Sequence, residues 1–443
     1  MNVREAALDT LMKIEQGGAY STIAVNDTLK QKKVAPKDVG LYTELVYGTL
    51  SRKGTLDYIL KDRIRSPKKL DKFVLPLLRM SVYQLFYLDK VPDRAVLHEA
   101  VEIAKKRGHH LGTSKFVNGV LRNVLREGFP DFSGLTDAER IAIEHSHPEW
   151  LVSDWIELYG VETAEAICRL NNEPAPVTIR VNRKRISVDE MMNRLADAGV
   201  MTSRSELSAD GLVVESGNIH ATPFIEEGLL SIQDESSMIV ADALNVSKDD
   251  VILDACAAPG GKAMHTAERM QGGSLTALDL HPHKAKLIDQ QAKRLHINGV
   301  TALALDARLA GERFEEESFD RILLDVPCSG LGVIRRKPDI KWTKDKAQLE
   351  NLPKIQRQII DAVLPLLKPG GTLVYSTCTI DPSENETQAD YILSKGLMWD
   401  ETLKGRLPQS VRPMMESDRA ELKLLPTTFG TDGFYIAAFK KEV

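Results

Sequence analysis

Apolar segments that end in small or acidic residues alternate with helical segments from about residue 236 to 443. This alternation is typical of α/β proteins with a doubly wound, Rossmann-like sheet of mainly parallel strands. The final segment, at 421–441, has no helix between its two apolar runs, which predicts a closing antiparallel hairpin. The predicted strands are VILDAC, SLTALDL, VTALALD, DRILLDV and GTLVYST, and the helices between them include PHKAKLIDQQAKRLHING and LPKIQRQIIDAVLPLLKPGG.

The turn after the first of these strands, DACAAPGGK at 254–262, limits the kind of ligand. It lacks the G-x-G-x-x-G pattern of dinucleotide-binding proteins. Cys256 and Ala263 stand where a P-loop would need Gly and Ser or Thr. Gly260 and Gly261 let the backbone approach a ligand closely at the start of a helix. The turn therefore argues against a nicotinamide enzyme and against an NTPase.

Acidic residues end the next three predicted strands, at Asp279, Asp306 and Asp325. Ligands of open α/β sheets bind beyond the carboxyl ends of the strands, and a carboxylate about 20 residues after the glycine turn typically binds a ribose diol. A single such Asp is more often a helix cap or a turn residue. Three of them beside the glycine turn predict an adenosine-type cofactor without phosphates, and S-adenosylmethionine fits that description.

The chain has four cysteines, and two of them, Cys328 and Cys378, directly follow predicted strands. A thiolate that adds to carbon 6 of cytosine makes carbon 5 nucleophilic enough to accept a methyl group. A second thiol or a water can then remove the carbon-5 proton so that the protein is released. Asp325 could bind the ring nitrogen and the exocyclic amine. The residues alone do not decide which thiol attacks; we interpret Cys168 and Cys256 as structural.

The first 130 residues are predicted to form a helical bundle that is basic, with 23 Lys and Arg against 14 Asp and Glu. The apolar residues recur at helical spacing. Three basic segments, QKKVAPK, KDRIRSPKKLDK and AKKRGHH, border the helices and suit contact with several phosphates. The segment GFPDFSGLTD predicts a domain boundary near 128–137.

Residues 140–235 are predicted to be a small α+β module between the bundle and the methyltransferase-like part, 236–443. A helix is expected in SHPEWLVSDWIELYG and strands in PVTIRVN and GLVVES. Ser187 and Glu190 have the spacing of a capping box, and Gly199 is expected to end that helix.

The sequence argues against a secreted protein, a membrane-spanning protein and a protein with a local zinc pair. The N-terminal segment carries Arg4, Glu5 and Asp9 where a signal peptide would be apolar, and no apolar run is long enough to span a membrane. We expect a cytoplasmic monomer. The wide spacing of the cysteines excludes a local Cys-x-x-Cys zinc pair, so we expect no metal.

The motifs LDACAAPGGK, DVPCSGLGVIRRKPDIKW and STCT, with GLLSIQDESS before them, closely resemble those of the RNA cytosine-5 methyltransferases. Residues 1 to about 126 are similar to the helical RNA-binding fold of NusB, and this pairing resembles the bacterial 16S ribosomal RNA enzymes of the RsmB (Sun, Fmu) type. The resemblance implies that Cys378 attacks and Cys328 assists release. It also implies a cofactor site formed by Cys256, Ala257, Ala258, Pro259, Gly260, Gly261, Lys262, Asp279, Asp306 and Asp325.

The function predicted from the sequence is thus transfer of a methyl group from S-adenosylmethionine to carbon 5 of a cytosine in 16S ribosomal RNA. A transfer RNA enzyme with the same chemistry is one alternative. A ribosome assembly factor that binds RNA without turnover is another, although the two cysteines and three acids argue against it.

Overall fold

The computed structural model describes residues 2–17, 20–31, 33–64, 70–416 and 418–442. The chain divides into two compact units, which we call the helical unit and the sheet unit. The helical unit comprises Met1–Pro174 and Ile334–Thr343, and the sheet unit comprises Ala175–Val333 and Lys344–Val443. Within the described ranges, no helix combines the length and the apolar character that crossing a bilayer requires.

The helical unit has the apolar stripes that its sequence predicts. On its first helix Ala7, Leu8, Leu11 and Ile14 are all buried, because residues three and four apart share one face of a helix. The helices of this unit are α1 (Val3–Gly17), α2 (Ser21–Lys30), α3 (Val39–Ser51), α4 (Lys53–Lys61), α5 (Val74–Tyr87), α6 (Asp93–Arg107), α7 (Leu111–Glu127), α8 (Asp137–Glu144), α9 (Glu149–Tyr159), α10 (Val161–Leu170) and α16 (Ile340–Thr343).

Helices α8–α10 extend the helical unit beyond the predicted boundary at 128–137. The hydroxyl of Thr55 on α4 donates to the carbonyl of Ile143 at 2.5 Å, and the amide of Gly54 donates to Ser146 Oγ at 2.8 Å. These contacts tie the segment after the boundary to the bundle before it. The three predicted domains, 1–130, 140–235 and 236–443, stay a prediction beside this division into two compact units.

The segment Ile334–Thr343 belongs to the helical unit although its chain neighbours on both sides belong to the sheet unit. Its Lys341 is 1% exposed, and the ammonium donates to the carbonyl of Ser51 at 2.7 Å and to Asn172 Oδ1 at 3.1 Å. The indole of Trp342 donates to the carbonyl of Leu50 at 2.8 Å. The segment is therefore fixed by buried polar contacts rather than by apolar packing alone.

A four-stranded antiparallel sheet, in the order β2-β3-β1-β4, opens the sheet unit. As predicted, Ser187 caps α11 by accepting from the amide of Glu190, but the Glu190 carboxylate accepts from Arg194 instead of completing a capping box. Arg180 on β1 donates to Glu268 and to the carbonyl of Gly261, both at 2.8 Å, which joins this sheet to the glycine turn. The elements are β1 (Val177–Val181), α11 (Val188–Asp197), β2 (Met201–Arg204), β3 (Gly211–Ser216) and β4 (Leu230–Ile232).

The remaining residues form the predicted doubly wound sheet with helices on both faces. The strands are β5 (Val251–Asp254), β6 (Ser274–Asp279), β7 (Val300–Ala304), β8 (Phe319–Asp325), β9 (Leu367–Thr377), β10 (Leu397–Trp399), β11 (Glu421–Leu424) and β12 (Phe434–Lys441). Their order in the sheet is β10-β12-β9-β8-β5-β6-β7, and neighbours from β9 to β7 are parallel. Strand β12 is antiparallel to β9 and β10, and β11 forms the predicted hairpin with β12. The helices are α12 (Glu235–Leu244), α13 (Gly261–Arg269), α14 (Pro282–Leu295), α15 (Ala310–Arg313), α17 (Lys346–Leu349), α18 (Leu352–Val363), α19 (Glu386–Ser394), α20 (Leu403–Arg406) and α21 (Pro426–Phe429).

Two predicted boundaries in this sheet are wrong. The helix expected over 352–371 ends at Val363, because Pro365 has no backbone N–H with which to continue the helix, and a short 3-10 turn over Leu364–Leu366 follows. Strand β9 therefore begins at Leu367. Strand β7 ends at Ala304, so Asp306 lies beyond the strand and caps the turn at Ala307–Leu309.

Candidate functional site

The predicted site residues of strands β8 and β9 meet at one edge of the sheet. The two strands are parallel neighbours, with Asp325 opposite Ser376, so the residues that follow them leave the sheet side by side. Cys328 and Cys378 are both half-buried, and their sulfur atoms lie 3.4 Å apart. The structure thus confirms that the two thiols share one place, which the sequence predicted on the condition that the strands are neighbours.

The two cysteines have different electrostatic surroundings. The hydrogen bond to Cys378, burial, and the charges of Cys378 and Glu384 hold the pKa of the Cys328 thiol well above its ordinary value. Lys262 interacts electrostatically with Cys378. Burial lowers the pKa of its ammonium, but the charge of Asp325, their hydrogen bond and the charge of Cys378 raise it, and the net shift is upward. A positive charge therefore lies within electrostatic reach of a thiolate at Cys378.

Asp325 is held in place by two donors. The ammonium of Lys262 donates to its Oδ2 at 2.8 Å, and Ser376 Oγ donates to its Oδ1 at 3.0 Å. Lys262 also lies 4.9 Å from the centroid of the Phe434 ring. The resemblance places both Lys262 and Asp325 at the cofactor; the two side chains bind each other, and their cofactor role stays a prediction.

The glycine turn brings the backbone to the edge of the sheet, as the sequence predicts. Gly260 has φ +107°, a left-handed conformation that favours glycine, and α13 begins at the next residue. The peptide bond between Ala258 and Pro259 is cis. The amide of Ala257 donates to the carbonyl of Leu278 at 2.8 Å, which ties the turn to the end of β6.

Asp279 and Asp306 differ in how their carboxylates are held. Asp279 ends β6, is 9% exposed, and accepts from the amide of His281 at 3.0 Å. Asp306 accepts from both the backbone and the guanidinium of Arg308, and that side-chain hydrogen bond lowers its pKa. The charge of Asp306 still contributes to the raised pKa of Cys256, so this carboxylate lies within electrostatic reach of the turn.

Asp254 and Glu384 are two buried acids that the sequence analysis missed. Asp254 is the last residue of β5, and burial together with the charge of Asp325 raises its pKa to about 8. The position of Asp254 at a strand end was a usable signal. Glu384 lies in a polar turn-like segment, and burial raises its pKa to about 7. Its neighbours come from distant parts of the chain, so no local pattern marks it.

These residues fit S-adenosylmethionine better than a nucleotide with phosphates. Asp279 ends β6, the position at which a carboxylate in this kind of sheet commonly binds a ribose diol, and this role stays a prediction. Acids surround the turn, and a side chain added at Gly261 would meet nothing closer than 3.9 Å. A negative site favours a cationic sulfonium and disfavours phosphate groups.

A further group of potential metal ligands lies in the helical unit. Among the described residues, Glu144, His145 and Glu165 place ligand atoms within 4.8 Å of one another. Arg140 donates to both oxygens of Glu165 at 2.9 and 2.8 Å and to Glu144 at 3.2 Å. This arrangement is an ion-pair network, and the expectation of no metal stays a prediction.

Three family models match the chain. The 16S rRNA methyltransferase RsmB/F model matches residues 241–440, the NusB family model matches 1–126, and a ferredoxin-like domain model of the RsmF/B methyltransferases matches 147–220.

Curated relatives match the whole chain. The probable ribosomal RNA small subunit methyltransferase B of Bacillus subtilis is 49% identical and covers 100% of this chain and 99% of the relative. The ribosomal RNA small subunit methyltransferase B of Vibrio vulnificus is 33% identical and covers 100% of both chains.

Solved structures share the fold. A protein called PH0851 superposes with a TM-score of 0.82 at 24% identity and covers 100% of this chain and 99% of its own. The NSun6 of Pyrococcus horikoshii, solved with SFG, has a TM-score of 0.58 at 25% identity and covers 66% of this chain and 98% of its own.

Proposed function

Because the chain belongs to the RsmB/F family of 16S rRNA methyltransferases, we propose that it methylates carbon 5 of a cytosine in 16S ribosomal RNA through a covalent bond to Cys378. The observation that carries the proposal is the pair of sulfur atoms 3.4 Å apart, with the ammonium of Lys262 within electrostatic reach of Cys378. Cytosine-5 chemistry needs two groups with separate tasks at one carbon–carbon bond, and this pair supplies them.

The proposed methyl donor is S-adenosylmethionine. When bound, it supplies an electrophilic methyl group. Asp279 would bind its ribose, and the glycine turn from Cys256 to Gly261 would lie along it, with Asp306 nearby. The acidic surroundings would stabilise its positive charge. The NSun6 of Pyrococcus horikoshii, which shares this fold, was solved with SFG, which supports a bound ligand in proteins of this fold.

Attack on the base is assigned to Cys378. The thiolate is the reactive form of a cysteine, and a nearby cation favours it. The sulfur of Cys378 adds to carbon 6, and the electron pair of the carbon 5–carbon 6 double bond shifts to carbon 5. Asp325, held by Lys262 and Ser376, would bind the polar edge of the base while that charge develops. Carbon 5 can then take the methyl group.

Release of the product is assigned to Cys328. Its thiol has a raised pKa, so it is protonated while Cys378 attacks. After it has given its proton to water, its sulfur takes the proton from carbon 5. The electron pair of that carbon–hydrogen bond restores the double bond, and the bond between carbon 6 and Cys378 breaks. This division of tasks uses the electrostatic difference between the two thiols.

Two variants test the assignment. We expect Cys328→Ala, incubated with ribosomal RNA and S-adenosylmethionine, to give a slow-moving protein–RNA band on a denaturing gel. Cys378→Ser should give no such band and no turnover. Cys168→Ala, which removes a buried thiol of the helical unit, should turn over like the unchanged protein. A band only with Cys378→Ser would reverse the roles. If neither variant gives a band and both turn over like the unchanged protein, the covalent route is refuted. Methylation of transfer RNA but not of ribosomal RNA would favour the alternative substrate.

We further propose that RNA contacts the groove between α6 and α7. This groove, of about 850 Å³, has a lining that includes Arg94, Arg122, Arg126 and His98 together with the acids Asp93 and Glu102. The predicted basic segment AKKRGHH is less available, because Lys105, Lys106 and Arg107 pair with Glu102, Glu5 and Asp9. Residues 65–69 of KDRIRSPKKLDK and residue 32 of QKKVAPK lie outside the described residues.

A further inference from the structure

Glu384 is a buried acid beside the two cysteines that the mechanism above does not use. It is 1% exposed, and the two groups that donate to its carboxylate are neutral. The amide of Ser329 donates to Oε2 at 3.0 Å and approaches Oε1 at 3.3 Å, and the side-chain amide of Gln356 donates to Oε2 at 2.9 Å. A carboxylate buried with only neutral donors is costly, so its presence calls for a reason.

The contacts of Glu384 fix the backbone on both sides of Cys328. Ser329, the residue after it, is held by the carboxylate itself. The residue before it, Pro327, is held indirectly, because the same Gln356 amide also donates to the Pro327 carbonyl at 3.0 Å. One buried acid and one buried amide thus fix the turn that carries the Cys328 thiol.

The other end of the network reaches β9 and the residues around Cys378. The hydroxyl of Tyr375 donates to the carbonyl of Glu384 at 2.6 Å. The hydroxyls of Ser329 and Thr379 lie 2.7 Å apart, and Thr379 directly follows Cys378. Glu384 therefore belongs to the set of contacts that sets the distance between the two sulfur atoms.

We propose that Glu384 is a positioning residue for product release: its carboxylate holds the Cys328 turn so that the thiol lies over the carbon-5 proton while Cys378 is bonded to the base. This inference rests on the proposed function, and it adds a residue that acts through Cys328 without touching the RNA.

Electrostatics gives the same residue a second effect in the release step. The charge of Glu384 is one of the causes that raise the pKa of Cys328, together with Cys378. Once Cys378 is bonded to carbon 6, its sulfur is a neutral thioether and no longer contributes a charge. Glu384 remains charged in the molecules in which it is ionised, and this fraction grows as the pH rises through its pKa of about 7. A sulfur with a higher pKa takes up a proton more readily.

The test compares Glu384→Ala and Glu384→Gln in the full chain. Alanine removes both acceptor contacts. Glutamine keeps a carbonyl oxygen that can accept from Ser329 and Gln356 but removes the charge. Glu386→Ala is the matched control, because Glu386 is two residues away, is half-buried, and pairs with Lys423. Two rates are measured in a single turnover: appearance of methylated RNA and decay of the protein–RNA adduct.

We expect Glu384→Ala to slow adduct decay by about tenfold or more, the effect of losing a hydrogen bond to a charged group, while methyl transfer changes far less. Glu384→Gln should restore most of the decay rate, and Glu386→Ala should match the unchanged protein. Equal slowing of both steps in Glu384→Ala would reduce Glu384 to a structural role. A Gln variant as slow as the Ala variant would refute positioning by hydrogen bonds.

Failure of this inference differs from failure of the proposed function. If Cys328→Ala traps an adduct and Glu384→Ala does not slow its decay, only the role of Glu384 is refuted. If Cys328→Ala forms no adduct, the covalent function itself fails.

Discussion

Replacing Asp254 with Asn should make the sheet unit more stable, and increasingly so as the pH rises. Asp254 is 1% exposed at the end of β5, and burial and the charge of Asp325 raise its pKa to about 8. In an unfolded chain an Asp has a pKa near 3.9, so between about pH 4 and pH 8 the folded state holds a proton that the unfolded state has released. Unfolding therefore releases a proton in this window, and stability falls as the pH rises through it.

The magnitude follows from the width of the window. Each pH unit is worth about 1.36 kcal/mol for one proton. From pH 5 to pH 7.5, wild-type stability should therefore fall by roughly 3 kcal/mol through this group alone. Asn cannot titrate, and it keeps an oxygen that can accept from the amide of Cys256, which lies 3.4 Å from the carboxylate. The stability difference between Asp254→Asn and the unchanged protein should grow by the same amount.

Native-state hydrogen exchange of the β5 amides, compared at each pH between the two proteins, measures this difference within the sheet unit. Asp289→Asn, at an exposed position of α14, is the control, and its difference from the unchanged protein should stay constant. A difference for Asp254→Asn that is the same at pH 5 and pH 7.5 would refute the interpretation that Asp254 is protonated in the folded protein.

Three further outcomes are expected. Asp279→Ala should lower the affinity for S-adenosylmethionine by roughly 1.5–3 kcal/mol in calorimetry, and unchanged binding by the folded variant would contradict the ribose contact. Gly332→Ala should lower the free energy of unfolding by about 1–3 kcal/mol and slow adduct formation, because a Cβ there would lie 2.0 Å from the backbone oxygen of Gly433. Gly405→Ala is the control, since a Cβ at that position meets open space and should be tolerated. Arg122→Glu should weaken RNA binding and lower the slope of log affinity against log salt concentration by about 1, because one phosphate contact is lost. The control Lys404→Glu should leave both unchanged. Equal salt slopes for the two variants would place the RNA away from the groove between α6 and α7.

The sequence predicts the sheet and its carboxyl-end residues well because both depend on local patterns. Alternating strands and helices place Asp325 and Cys378 at neighbouring strand ends once the sheet forms. The exact ends of strands and helices are harder to predict from the sequence. Asp306, for example, lies beyond its strand and serves as a cap, one of the roles that a lone Asp commonly has. The network of Glu384 could not be predicted, because its donors come from residues 28 and 55 positions away.

The place of the segment Ile334–Thr343 in the helical unit could not be predicted from the sequence either. In the sequence, Lys341 and Trp342 of this segment belong to the same continuous motif as Cys328. Their buried contacts with Leu50 and Ser51 join positions about 290 residues apart, and no periodicity or composition indicates such a pairing. The division of the chain into units therefore depends on long-range polar contacts that only the folded structure reveals.

That segment also constrains the order in which the protein can be completed during synthesis. The carbonyls of Leu50 and Ser51 leave the ribosome early, but the indole and ammonium groups that donate to them are made about 290 residues later. The first 174 residues can begin to pack during translation, yet their unit reaches its final set of contacts only after residue 343 has emerged. A gene fragment cut at 174 would therefore encode an incomplete unit, and one that starts at 175 would carry the missing piece without its binding partners.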